Sequence, residues 1–536
     1  MKVGVDFLVS KEGVQTPIQG AAAVVWVAAM VACAARVAPE SPALLTEENA
    51  ADALVREGCY QCLEQALATY ERIADTPRGP SAARRGAFDA AVLLAARARE
   101  LGIPPEPFLS RARRHATRLP AAPPASLPPS AYLDAAELIV GELSGFDSDV
   151  RQQRSERLRR SAAPEAPRAP ARLALHQGSA TDIVAVYLRL AIDCEEARAR
   201  REINAAQLIE RHGDSPLLRF RLALCAVGGR SPASLREQDA RWLDALFFEG
   251  RAELSRRPVA DVAKAVEFLA AAHAAFPASL AITVALGNAQ NALSEYEAAL
   301  VSFDAVLAET PTHREAGLGR TMSLSYLSRH PEAIAEATRL IGLGTWLIGD
   351  AYYWRAWNRF QLKELDTAWA DIEEASKLNV ETSVFTLAGF IAYARKELDV
   401  AVNRLDRAFA LDPTNCEAVW TAGLVHVDQQ AFGDAAPKFS RGMTCFASAA
   451  TQAESEIAET EKASYAEALK ARRIAAAQKR VETARFRGAQ SAFNAANCYL
   501  RLGQKVFALV HVDAAAAHPQ LKEKAITLRA TIEKLP

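Results

Sequence analysis

The chain has 536 residues, half of them apolar and only 7% aromatic, with 63 basic against 64 acidic side chains. Charge so nearly balanced excludes a general nucleic-acid binder, which needs a concentrated basic face to displace counterions. Abundant Ala, with few runs of Val, Ile and Thr, argues against a β-rich fold and predicts an all-α protein, because Ala, Leu, Glu and Arg lose little entropy in a helix.

In chain order, residues 1–35 stand apart. An uncharged apolar stretch runs from Ala21 to Ala35, with Lys2 and Lys11 upstream. It falls short of the roughly 20 strongly apolar residues that a bilayer span wants, and suits a secretory signal better. Within it, Met30-Val31-Ala32-Cys33 resembles a bacterial lipoprotein lipobox. That resemblance implies a lipid on Cys33 and a cell-envelope location. Met30 stands where Leu is usual, and Asp6 and Glu12 make the leading region atypical. A single membrane anchor and a buried N-terminal helix therefore stay open.

Residues 36–118 read as helical. One amphipathic pattern runs from Ala51 to Ala74, and a second helix from Arg85 to Leu101. Cys59 and Cys62 lie within the first pattern, three apart and so on one face. Simple packing, a disulfide, and redox or metal chemistry are all open for this pair; the position after Cys62 is Leu63, which removes haem attachment. Residues 119–180 are a Pro-rich connection, with Leu119 to Pro129 and Ser161 to Arg172 flanking a helix at Ala131 to Leu143. The Arg clusters at Arg111 to Arg118 and Arg154 to Arg160 read as solvated linker. Helices resume over 181–245, at Thr181 to Arg211 and Pro216 to Val227. Gly213-Asp214-Ser215 superficially looks like a hydrolase nucleophile block, but just before Pro216 it reads as a helix cap. Cys194, Cys225, Cys416, Cys445 and Cys498 are isolated on apolar-periodic segments and read as small core residues.

Residues 246–446 are periodic. Ala265, Ala299, Ala333, Ala368, Ala401 and Ala435 recur at spacings of 34, 34, 35, 33 and 34. The clearest unit carries Leu286, Gly287, Tyr296, Ala299, Phe303 and Pro311, and Gly389, Gly423, Ala272, Ala375, Ala408, Pro277 and Pro413 recur in phase elsewhere. This pattern resembles the tetratricopeptide repeat, in which those residues fall at positions 7, 8, 17, 20, 24, 27 and 32. Small residues at 8 and 20 let two antiparallel helices approach, a bulky residue at 24 fills the gap beside them, and Pro ends the second helix. Six such repeats predict an α-solenoid, and Ala66 and Tyr70, matching positions 20 and 24, make residues 36–118 a degenerate repeat of the same kind. Residues 447–487, rich in Ala, Glu, Lys and Arg, read as long charged helix that extends a repeat or protrudes as a hairpin. Residues 488–536 read as a seventh repeat and a capping helix.

A search for chemistry finds no phosphate-binding Gly-rich loop, no metal-ligand set and no catalytic constellation, so neither enzyme activity nor a cofactor is expected. The repeat resemblance points instead to a concave groove lined by positions 2, 5, 9 and 12 of each first helix. Those positions carry Asn288, Asn291, Glu315, Met322, Asp350, Tyr353, Trp357, Phe360, Phe390, Tyr393 and Trp420. Aromatics gathered there, in a chain poor in them, suit capture of a protein or peptide partner. For Tyr353, Trp357 and Tyr393 a place in the core between repeats is an equal alternative, and Trp354 and Trp369 read as structural. Asn288 fits one position of the carboxylate-clamp subtype, but Val284 stands where that subtype has Lys. The expectation is a non-catalytic binding scaffold at the bacterial envelope, lipid-anchored or exported, with a cytoplasmic location as the alternative. A glycan- or nutrient-binding lipoprotein, and an enzyme with an unrecognised site in the N-terminal half, are the alternatives.

Overall fold

The computed structural model describes residues 42–76, 81–120, 127–142, 182–199, 215–224, 233–255, 261–344, 347–463 and 467–536. The expected signal segment with Cys33, the second Pro-rich stretch, the Arg154 to Arg160 cluster, Gly213, Asp214 and Cys225 lie outside these residues. All regular structure among the described residues is helical, so the chain is all-α.

The N-terminal part is a bundle of unequal helices: α1 (Pro42–Glu57), α2 (Tyr60–Ala74), α3 (Ser81–Glu100), α4 (Glu106–Ala116), α5 (Pro129–Glu142), α6 (Ile183–Ala199), α7 (Pro216–Leu224) and α8 (Ala233–Gln238). The Ala-rich α3 touches α1, α2, α4, α5 and α6. Its buried residues run without a gap from Ala90 to Ala98, as expected of a helix with neighbours all round. Arg97 lies inside, fully buried, between Glu100 at 3.0 Å and Asp244, with its guanidinium 3.7 Å from the centre of the Phe220 ring. Glu100 also receives Arg221 at 2.6 Å and the Tyr187 hydroxyl at 2.7 Å. One buried network of charges thus ties α3, α6, α7 and the turn holding Asp244 together. Charges removed from water survive only when paired in this way.

The reading of Cys59 and Cys62 as the middle of a continuous helix is corrected. Gly58, at φ +73°, ends α1 in a conformation that costs glycine nothing, and Cys59 becomes the cap of α2, accepting a hydrogen bond from the Cys62 amide at 3.0 Å. The two cysteines are joined in a disulfide and also buried, beneath Phe220 and Trp242. Packing and disulfide therefore both hold. The reading of Cys416 and Cys445 as isolated core residues is overturned too: they form a second disulfide, with Cα atoms 5.5 Å apart. A one-dimensional period shows neither pairing.

The repeats follow as helix pairs: α9 (Ala245–Leu254) with α10 (Val262–Ala275), α11 (Leu280–Ala292) with α12 (Tyr296–Glu309), α13 (Arg314–Tyr326) with α14 (His330–Gly342), α15 (Ile348–Gln361) with α16 (Leu365–Leu378), α17 (Thr382–Ala394) with α18 (Leu398–Leu411), and α19 (Cys416–Asp428) with α20 (Phe432–Lys462). All six in-phase alanines, Ala265 to Ala435, are fully buried. A methyl group added at Gly287 would lie 2.8 Å from the Phe303 ring, and one at Gly423 2.8 Å from Phe439, so small residues at position 8 make room for the bulky residue at 24. Phe303 also presses on Gly319 of the following repeat, which links the units. Ser279, His313 and Asn415 cap the helices that follow them, accepting from the amides of Ile282, Ala316 and Ala418. The geometry is that of a tetratricopeptide-repeat solenoid.

First helices of successive repeats touch one another, whereas second helices of neighbouring repeats scarcely meet. The first helices therefore occupy the shorter arc and line the concave side. The charged segment does both things expected of it. It extends α20 beyond its repeat and then returns as α21 (Glu467–Arg501), whose end is the first helix of repeat seven. Arg480 and Arg485 pair with Glu456 and Glu454 along this hairpin. Near its tip, Arg472 reaches Glu295 at 2.7 Å and Arg473 reaches Asp261 at 3.1 Å, so the hairpin is bonded back to repeats one and two. α22 (Lys505–Ala516) completes repeat seven, and α23 (Lys522–Glu533) caps it through Ala525, Leu528 and Ile532.

Candidate groove for a partner segment

Along α15, Asp350, Tyr353, Trp357 and Phe360 follow one another at helical spacing and share a face. The three rings are all half-buried: each packs against the core formed by Ala356, Ala368, Ile372 and Leu387, and each keeps part of its surface open. Phe390 and Tyr393 repeat this arrangement on α17, against Ala392, Ala401 and Leu405. Each of these rings thus contributes to the core on one side and keeps open surface on the other. Burial pushes the Tyr353 hydroxyl up to about 12, with Tyr326 and Glu381 adding to it. Burial also raises Tyr393 to about 12, helped by the hydrogen bond it donates to Asp428 at 2.9 Å.

The polar candidates divide. Asp350 accepts a hydrogen bond from the Asn379 amide at 3.0 Å, and its carboxyl is raised by burial and then by Glu381. Asn288 donates to Glu315 at 3.2 Å across two repeats, and Met322 is half-buried. Asn291 is buried and its amide is already committed, donating to the Gly319 carbonyl at 2.9 Å and accepting from Ser323 at 2.8 Å. It serves as a bond between repeats. Val284, at the clamp position, is buried as well. Trp420 lies under the Arg487 guanidinium, 4.3 Å from its ring centre.

Sequence reasoning missed several aromatics that adjoin Tyr353. Tyr296 and Tyr326 stack at 4.6 Å, Tyr326 meets Trp354 edge-on at 5.6 Å, and Trp354 meets Tyr353 at 5.4 Å. Tyr326 is 51% exposed. Trp354, expected to be structural, is thus one rung of an aromatic ladder spanning repeats two to four. Tyr326 follows position 12 directly, so a wider window on each first helix would have found it. Glu381 and Arg487 carried no signal, since they come from a loop and from the hairpin. Among the described residues no three His, Cys, Asp or Glu side chains gather as a metal site, and no helix is long and apolar enough to cross a membrane.

No protein-family model matches the chain, and no curated protein matches it. Several solved structures are similar in fold at low identity. The YrrB structure, described as a tetratricopeptide-repeat protein with an unusual peptide-binding site, is 18% identical and covers 34% of this chain and 93% of its own, with a TM-score of 0.28. A tetratricopeptide-repeat protein from Parabacteroides merdae is 15% identical over 55% of this chain and 99% of its own, at a TM-score of 0.32. The Cut9–Hcn1 hetero-tetramer of the APC/C is 14% identical over 95% of this chain and 99% of that one, at 0.37. The repeat-by-repeat geometry above, and not these overlaps, identifies the described array as a tetratricopeptide-repeat solenoid.

Proposed function

We propose that this chain is a non-catalytic scaffold that captures an extended or helical segment of another protein on its concave aromatic face, held at a bacterial envelope by lipid on Cys33. The observation that carries the reading is the series of half-buried rings at equivalent positions of consecutive first helices: Tyr353, Trp357 and Phe360, then Phe390 and Tyr393. Their buried sides fix them in place, so little entropy remains to be lost when a partner covers the rest. Two disulfides accord with an oxidising compartment outside the cytoplasm.

A photo-crosslinking residue placed at Tyr393, and separately at Val301 on the opposite side, tests the groove. Val301 lies on a second helix and is 71% exposed. Discrete adducts in the envelope fraction from position 393 but not 301 are expected. Equal labelling from both would sink the groove reading. Mass spectrometry of the mature N-terminus tests the anchor: an acylated Cys33 is expected, and an unprocessed Met1 rejects it.

A further inference from the structure

One groove aromatic is already covered, by the chain itself. Arg487, on the returning arm of the hairpin, lies over Trp420 and stands 3.5 Å from the Glu417 carboxylate. Glu417 and Trp420 occupy positions 2 and 5 of the first helix of repeat six. In repeat four the same two positions are Asp350 and Tyr353, again an acid and an aromatic three residues apart on one helical face. Repeat five has Ser383 and Thr386 there, and repeat three has Glu315 and Leu318, so the combination is confined to repeats four and six of the six-repeat array with nothing equivalent between them.

In repeat four, among the described residues, the nearby cations are engaged elsewhere: Arg355 and Arg359 pair with Asp371, and Lys377 with Glu374. Asp350 has the Asn379 amide as its hydrogen-bond partner, and neither it nor the exposed Glu381 is ion-paired among the described residues. Glu381 stands two residues after Asn379, whose side chain is bonded to Asp350, and its charge acts on both Asp350 and Tyr353. A half-buried carboxylate without a counter-charge is unfavourable. Two carboxylates beside a half-open aromatic face attract a guanidinium or ammonium group by charge and by the ring quadrupole. Repeat six shows the acid and aromatic pair, with one carboxylate, already filled by an arginine.

We infer that Asp350, Glu381 and Tyr353 form a seat for an arginine or lysine side chain of the captured segment, so that the partner of this groove is a basic peptide. The inference rests on the groove reading above and adds the chemistry of its occupant. Trp357 and Phe360, one and two turns further along the helix, offer apolar surface for the neighbours of that residue. Because Arg487 fills the seat in repeat six, a free peptide has the seat in repeat four to enter.

The hairpin supplies the probe. A fluorescein-labelled octapeptide with the sequence of Ala484–Ser491 is compared with the same peptide carrying citrulline, neutral and of the same shape, at both arginines. Fluorescence anisotropy on the full chain is expected to give at least about ten-fold tighter binding of the arginine peptide, as for a partly desolvated charged contact. Asp350→Asn with Glu381→Gln is expected to reduce that preference to about three-fold or less while leaving the melting temperature near that of the parent. Should the pair unfold the chain, Glu381→Gln alone, at an exposed position, reads the same loss in part. Equal binding of the two peptides, a preference that survives the double substitution, or no binding at millimolar peptide overturns the seat. Trp357→Ala separates the two readings. If it weakens both peptides alike while they bind equally, the groove stands and the seat falls. If it changes neither peptide's binding, the groove itself fails.

Discussion

The two halves of the molecule reach stability by different routes. In the array, each contact recurs about every 34 residues: buried Ala265 to Ala435, Gly287 against Phe303, Gly423 against Phe439. Each unit needs only its neighbours, and losses are shared along a line. The N-terminal bundle has no such repetition. It depends on single features, above all Arg97, Glu100, Arg221 and Asp244 around the central helix α3. Regular packing is robust to any one loss, whereas a unique buried network concentrates the risk in a few atoms.

The sharpest test of that difference is Arg97→Met. It leaves Asp244 buried without its guanidinium, which is expected to cost about 3–5 kcal/mol. Hydrogen exchange would report it: protection falls in α1 to α7 while α15 to α18 keep theirs. Adding Asp244→Leu is expected to restore most of the loss, because a well-packed apolar pair replaces an ionic one at little net cost. Loss of protection spreading equally through the array would show that the halves are not separate.

Disulfide removal should reverse the ranking. Cys416 and Cys445 are 29 residues apart in sequence, Cys59 and Cys62 only 3. Chain-entropy arguments give the longer loop about 3.5 kcal/mol and the shorter about 1.5 kcal/mol. Urea unfolding of Cys416→Ala with Cys445→Ala, against Cys59→Ala with Cys62→Ala, is therefore expected to weaken the array more than the bundle. If the short bridge proves the costlier, its role as cap and packing residue outweighs its role as a cross-link.

Acid acts on the bundle. Burial works to raise Glu71, but hydrogen bonds and charge from Arg111 and His115 overcome this and hold it at about 2. A carboxyl lowered on folding stabilises above its unfolded value near 4.5 and loses that contribution as pH falls toward 2. Roughly 2 kcal/mol is expected to be gone by pH 3, since each shifted unit is worth about 1.4 kcal/mol. Glu71→Gln should abolish the part of the pH 5 to 3 decline that is specific to the contact of α2 with α4. An unchanged decline would assign it elsewhere.

How far the sequence revealed this differs between the halves for a physical reason. A period is visible because every repeat solves one packing problem with the same small and bulky residues, so Ala299 and Gly287 announced the solenoid and its register. The candidate surface was half legible: positions 2, 5, 9 and 12 pointed to Tyr353, Trp357 and Phe360, whose rings are half-buried, yet Asn291 bonds two repeats. Tyr326 and Glu381 lay just outside the positions considered. The bundle was least legible. Arg97 and Asp244 are 147 residues apart and Cys416 and Cys445 are 29 apart, and only folding brings either pair together.

The mildest test concerns a regularity the sequence concealed. Ser294, Ser328, Lys363, Lys396 and Gln430 all adopt positive φ, between 59° and 66°, at the turn joining the two helices of successive repeats. At each turn the next residue's amide closes back onto the helix, as Glu295 does to Gln290 and Ala431 to His426. Glycine is the usual occupant of such a helix end, and among the described turns within repeats Gly503 of repeat seven alone supplies it. The absent glycines hid the motif. The bundle, by contrast, places Gly58 and Gly102 at its positive-φ positions, where Leu217 and Ala281 crowd any Cβ. Steric relief in the left-handed region, set against glycine's greater freedom when unfolded, leaves a net gain of about 0.5–1 kcal/mol for Gln430→Gly, an exposed site. The urea midpoint is expected to rise without a change in slope. A fall instead would mean that the Gln430 side chain contributes to the turn, and that the array, like the bundle, relies there on an individual residue.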